Sequence, residues 1–186
     1  MAKVKGTAVG ASVAYLKSKL GDAGFAGLVA SLPEDAREVF SRPILHGGWY
    51  DFSALLALMR AAVGKVDLPP GRTLAWEMGR FSAEYSLNSV YRMFFKVADV
   101  GFICKRAASL YPSLYDSGEM RLVSSEAKGA IIQVAGFAQP CQEFCDRAMG
   151  WMERTLELTG AKGIRMNHPS CAARGAAYCE YRGAWE

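Results

Sequence analysis

A chain of 186 residues that is 51% apolar and 22% charged is long enough for one domain with a real core, which excludes a disordered or fibrous class. Its net charge of +4 comes from Lys and Arg interleaved with Asp and Glu, so the basic footprint of a nucleic-acid binder is absent. The longest apolar stretch, "FSALLALMRAAVG", is broken by Arg60 and falls short of the ~20 residues that a bilayer span requires. No transmembrane segment and no signal peptide are expected. Five cysteines without an export signal fit a reducing compartment, so the expected protein is soluble and cytoplasmic.

In chain order, "ASVAYLKSKLG" sets Val13, Leu16 and Leu20 at helical spacing and stops at Gly21. "DAGFAGLVASL" reads as a second helix, and Pro33 opens a third, "PEDAREVF". The Pro and paired Gly of "SRPILHGGWYDFSALLALMRAAVG" mark a loop; an apolar helix then runs from Tyr50 or Asp51 to Gly64, and "VDLPPG" breaks the chain again. A long helix is expected from Thr73 to about Val97, with Thr73 as N-cap and Trp76, rather than Glu, at the capping-box position. A further helix from Asp99 to Leu110 should end before Pro112.

The period then changes. "EMRLVSSE" and "GAIIQVAG" read as a hairpin across Ala-Lys, Pro140 opens a helix that Gly160 ends, and "KGIRMNH" and "AYCEYRGAW" are strand-like. The expected fold is α+β: one domain over 1–186, helical to about 115. From about 116 it closes with a strand–strand–helix–strand–strand antiparallel sheet.

The cysteines are the most specific chemical feature. Cys145, Cys171 and Cys179 are spaced C-x25-C-x7-C, and packing the last helix on the hairpin would bring them together. Cys141, one helical turn before Cys145, shares its face in a helix and is the leading fourth ligand of a structural zinc, ahead of His168 and Glu143. Zinc takes four such N or S ligands. Buried thiols serving as small hydrophobes remain the alternative, as Cys104 on its apolar helix is expected to do; a redox pair is disfavoured because no CxxC is present. His46 and His168 are the only histidines. No nucleophile elbow, phosphate loop, dinucleotide fingerprint or zincin motif occurs, so no catalytic constellation is expected. Glu77 and Glu84 share a helix face without implying catalysis. The aromatic series Trp76, Phe81, Tyr85, Tyr91 and Phe94, continued by Phe95 and Phe102, is either core or the lining of an apolar ligand cavity.

The segment "GWMERTLELTGAKGIRMNHPSCAARGAAYCEYRGAW" resembles the closing part of the four-vinyl-reductase (V4R) sensor-domain superfamily. Upstream, "ILHGGWYDFSALLALMRAAVG", "EMGRFSAEYSLNSVYRMFF" and "LYDSGEM" look like a myxobacterial paralogous family of unknown function within it. Its relatives include aromatic-effector sensors with a largely cysteine-held zinc, haem–nitric-oxide-binding domains, and TRAPP subunits with an acyl-chain tunnel. The resemblance implies Cys145, Cys171 and Cys179 as thiol ligands. It puts the non-cysteine ligand in the hairpin region, where Glu126 is an approximate match, or else replaces it by Cys141. A haem-binding version would need an axial histidine on a helix, which neither histidine clearly provides. The resulting expectation is a non-enzymatic sensory domain that binds a hydrophobic small molecule or acyl chain, forms a homodimer and signals to a separate partner protein. A dimeric adaptor without ligand is the alternative; a reductase accessory enzyme has only the superfamily name behind it.

Overall fold

Residues 1–87 and 100–186 are described by the computed structural model. Lys3–Lys5 (β1) pairs antiparallel with Trp49–Asp51 (β2), a three-residue clasp too short for any sequence period to announce. Helix α1 spans Gly6–Ala30, and Gly21 inside it leaves helical geometry at φ 69°, ψ 172°. The two expected helices are therefore both present, joined at the expected residue by a kink in a conformation that glycine reaches without steric cost. Helix α2 is Glu34–Phe40, and α3 is Phe52–Ala62 with Asp51 at its N-cap. The buried face of α3 carries Phe52, Leu55, Leu58 and Met59.

Helix α4 covers Leu74–Leu87, and its N-terminus is capped as anticipated: the Trp76 N–H donates to Thr73 Oγ1 at 3.2 Å. The expected extension to Val97, with Tyr91, Phe94 and Phe95, lies outside the described residues, as does the side chain of Cys104. Helix α5, Val100–Leu114, runs through Pro112 instead of ending before it. The lost N–H is tolerated because the final turn is held from both sides. Tyr111 is buried, and the Tyr115 N–H reaches its carbonyl at 3.0 Å.

Strands β3 (Glu119–Glu126) and β4 (Gly129–Ala135) form the expected hairpin. Helix α6 (Gln142–Leu158) follows, then β5 (Arg165–Ser170) and β6 (Tyr178–Ala184). The sheet order is β3-β4-β6-β5, antiparallel throughout. The α+β architecture is as the sequence predicts. Ala130, Ile132 and Val134 alternate along β4 and share one core with Met149, Met152 and Leu156 of α6. No helix among the described residues is long and apolar enough to cross a membrane.

Helices α4 and α6 touch backbone to backbone. A Cβ on Gly79 would come within 2.1 Å of the Arg147 carbonyl oxygen, and one on Gly150 within 2.0 Å of the Trp76 carbonyl oxygen. A polar clamp runs alongside. Buried Glu153 accepts from Arg72 at 3.0 Å, Trp76 Nε1 at 3.0 Å and Arg80 at 2.6 Å. Arg80 also grips Glu157 twice at 2.9 Å, and Arg154 joins Glu157 to Glu84. Burial alone would raise the Glu157 carboxyl, but hydrogen bonds from Arg80 and Arg154 outweigh it and hold it below its ordinary value.

Two outcomes follow. Gly150→Ala forces the helices apart and should cost about 1–3 kcal/mol, a fall in Tm of roughly 3–10 °C at this chain length. Gly27→Ala, at a helical position with nothing within 4 Å, should leave Tm unchanged or raise it; equal effects in thermal melts would refute the close-crossing account. The lowered Glu157 contributes stability that is full above the unfolded carboxylate value near ~4.3 and lost as pH falls through the folded one. Glu157→Gln should therefore lower stability at pH 7 and flatten its acid dependence, read by urea melts across pH 3–7.

Candidate metal centre and ligand cavity

The first residues of α6 meet the far end of the sheet at a thiol–imidazole cluster. The ligand atoms of Cys145, His168, Cys171 and Cys179 all lie within 4.8 Å of one another. The Cys145 Sγ is 3.6 Å from that of Cys171 and 3.5 Å from that of Cys179, and all three thiols are buried. They are free, as is Cys141. The Ala172 N–H donates to Cys179 Sγ at 3.3 Å from the short turn Ala172–Arg174. His168 stacks on Tyr181 with ring centroids 4.6 Å apart, and its Nε2 is buried without a hydrogen-bond partner. Hydrogen bonding with Cys145 is the main force that pulls Cys179 toward the thiolate, while that same contact and burial push Cys145 up. One thiol of the group thus holds its proton so that another can release it.

His168, not Cys141, completes the foursome. Cys141 sits at the N-cap of α6 in extended geometry, φ −152° and ψ 161°. Being outside the helix, it does not share the face of Cys145 that helical spacing would give it. Burial pushes its thiol up to about 11. Glu143 is engaged by Arg60 at 2.6 Å. Glu126 lies opposite Gly129, whereas Cys179 lies opposite Val134, five rungs or ~17 Å along the sheet. His168 and Cys171 are three residues apart, which in a regular strand means opposite faces. The register of β5 shifts between Asn167 and Ser170, and that irregularity brings both to one site.

A separate cavity of about 60 Å³ lies on the other flank of α6, between it and α1, α4, α5 and β3. It is walled by Ala8, Ser82, Tyr111, Tyr115, Trp151 and Met152, among others, with Arg147 as the one charged lining residue among those described. Of the aromatic residues singled out for ligand contact, Trp76, Phe81 and Tyr85 do not line it. Trp76 bonds Glu153 under the Arg72 guanidinium, and Phe81 packs between Tyr15 and Tyr85. Tyr91 and Phe94 are outside the described residues. Neither histidine lines the cavity: His46 is in the loop before β2 and His168 is in the cluster. The cavity aromatics come instead from α6, from α5 and from the residue that follows α5, where Tyr111 and Tyr115 are four residues apart, a spacing visible in the sequence.

No family model matches the sequence, and no curated protein matches it. Solved structures do match the fold along almost the whole chain. An H-NOX protein from S. oneidensis in the Fe(II)NO ligation state superposes with a TM-score of 0.75 at 14% identity, covering 98% of this chain and 99% of that one. An oxygen-binding H-NOX domain related to soluble guanylate cyclases, in its oxygen complex, gives 0.64 at 12% identity over 98% and 95%. A structure described by haem redox potential and porphyrin distortion gives 0.63 at 13% identity over 97% and 99%. The chain has the fold of H-NOX domains.

Proposed function

We propose that this chain is a non-enzymatic sensory domain that binds a small ligand without haem and is braced by one structural zinc. The observation that carries this reading is the cavity beside α6, in a fold whose solved neighbours bind small ligands in their NO and oxygen complexes. The resemblance to effector-sensing domains of the four-vinyl-reductase superfamily supports the same reading. The four described cysteines are free, which suits a cytoplasmic setting. Signal output goes to a separate partner, through a homodimer. The adaptor alternative draws on Phe102 of α5 and Val123 of β3, large apolar side chains 59% and 53% exposed.

Haem does not suit the residues present. Among the described residues, no histidine faces the cavity, and neither histidine is on a helix. Tyr111 and Tyr115 are the phenols of that wall, and burial pushes both up, against the phenolate that iron would need, while the Met120 and Met152 thioethers lack the histidine that accompanies methionine in haem ligation. The volume of about 60 Å³ is far too small to enclose a porphyrin and leaves room only for a ligand of a few heavy atoms. Titration with haemin should give no saturable one-to-one Soret band; a stoichiometric band would overturn the haem-free reading.

Zinc suits the cluster. Tetrahedral ligands at ~2.3 Å stand about 3.8 Å apart, against the observed sulfur separations of 3.5 and 3.6 Å. Three thiols and one imidazole close the coordination shell, so such a metal is structural and couples to folding. A bound cation would favour the thiolates that burial otherwise opposes. Cys171→Ser should abolish stoichiometric zinc in elemental analysis. A hundredfold loss of metal affinity corresponds to about 2.7 kcal/mol, a Tm lower by roughly 5–10 °C. Cys141→Ser should keep both zinc and Tm. Wild-type protein that is metal-free and fully stable would refute the site.

A further inference from the structure

We infer that Arg147 is the ligand-reading residue of the cavity and that the ligand is a short monocarboxylate with an apolar tail. The inference rests on the proposed reading of the cavity as a ligand site and names the chemistry it selects. Arg147 is only 4% exposed, and a cation in that position is costly unless a negative group compensates it. Its bonds go to neutral acceptors: Ser12 Oγ at 2.9 Å, the Ala8 carbonyl at 3.0 Å and Ser82 Oγ at 3.4 Å. The Tyr115 phenol, also neutral, lies within hydrogen-bonding reach of the guanidinium, and these contacts still leave part of its five-donor fork unassigned. Among the described residues, no carboxylate forms an ion pair with it.

The other buried charges show what this protein does when compensation is internal. Glu153 is met by two arginines and a tryptophan N–H, and Glu180 by Gln133 and Arg182. Among the described residues, Arg147 alone of the buried charged side chains meets only neutral groups, and it alone of them lines the cavity.

Charge, wall and size each narrow the ligand. One cation calls for a single negative charge, because a dianion would bring its own uncompensated burial cost. Tyr111, Leu114, Phe144, Trp151 and Met152 make the rest of the wall largely apolar, which favours a hydrocarbon tail over an inorganic oxyanion. A volume of about 60 Å³ corresponds to roughly four to six water-sized positions, the heavy-atom count of acetate through butyrate. Arg recognises carboxylate through charge-assisted hydrogen bonds, the strongest the protein can offer there.

Calorimetry and thermal melts of the full chain at constant ionic strength test this with sodium butyrate, butyramide and sodium nitrate. Butyrate should bind one-to-one and raise Tm, whereas butyramide and nitrate should do neither. Arg147→Met should weaken butyrate about a hundredfold. Should that variant fail to fold, Ala148→Leu, which fills the cavity without touching the cation, should abolish binding in its place. Equal binding of butyrate and butyramide, undiminished in Arg147→Met or in wild type alone, overturns the anion inference and leaves the ligand-site reading standing. Nitrate binding as tightly as butyrate overturns the carboxylate assignment. Asp99 is the only carboxylate in residues 88–99. If wild type ignores butyrate but Asp99→Asn binds it, the counter-charge is internal and the inference falls. Absence of any binding in every variant sinks both readings.

Discussion

Everything distinctive in this fold hangs on the contact between the backbones of α4 and α6. Gly79 lies against the Arg147 carbonyl and Gly150 against the Trp76 carbonyl, each too close for a Cβ. The approach aligns Glu153 with Arg72, Trp76 and Arg80, and sets Thr73, the cap of α4, against Asp146 at 2.9 Å. It also determines where Arg147 points. With its carbonyl pinned on α4, its side chain crosses to Ser12 and Ala8 of α1, so one residue ties three helices together. Separating α4 from α6 would disturb the clamp, the cap and the cavity wall at once.

Much of this was legible in the residues, for identifiable physical reasons. Gly21 marks a break, Thr73 a cap, and the change from helical spacing to alternation from about residue 116 marks the sheet; each is a local signal with a local cause. What escaped was non-local. Strands β1 and β2 pair across more than forty residues with three rungs between them. Pro112 stays inside α5 because tertiary burial of Tyr111 overrides a local preference. Cys141 is kept out of the site because its own backbone is extended at the N-cap, although the first turn of α6 closes on its carbonyl, and only a shift in strand register turns His168 toward Cys171. Arg147 was invisible in the sequence: an arginine amid "FCDRAMGW" looks like an ordinary solvated charge until the fold buries it.

Helix α6 divides its duties by face. Cys145 and Arg147 are two positions apart, about 200° around the helix, so they address opposite flanks. Cys145 meets the sheet and the turn after β5, while Arg147 meets α1 and the cavity. The two centres are therefore chemically separate but mechanically joined by a single rigid element. Phe144 lies between them, stacked on Phe137 at 4.0 Å and also lining the cavity.

A shared fold does not by itself carry a shared chemistry, so the lining of this cavity has to be read on its own terms. An iron cofactor needs a donor atom with a lone pair aimed at the metal. The described wall here offers phenols that burial keeps protonated, a guanidinium that has only protons to give, and the Met120 and Met152 thioethers, which ligate haem iron alongside a histidine that this wall does not supply. A buried fork of N–H groups in apolar surroundings attracts electron-rich atoms and disfavours another cation. Its neutral partners, two serine hydroxyls and a carbonyl, orient the fork without cancelling its charge. Among the described residues, Arg147 is thus the one charged side chain on the cavity wall, and a buried cation favours an electron-rich neighbour over another cation.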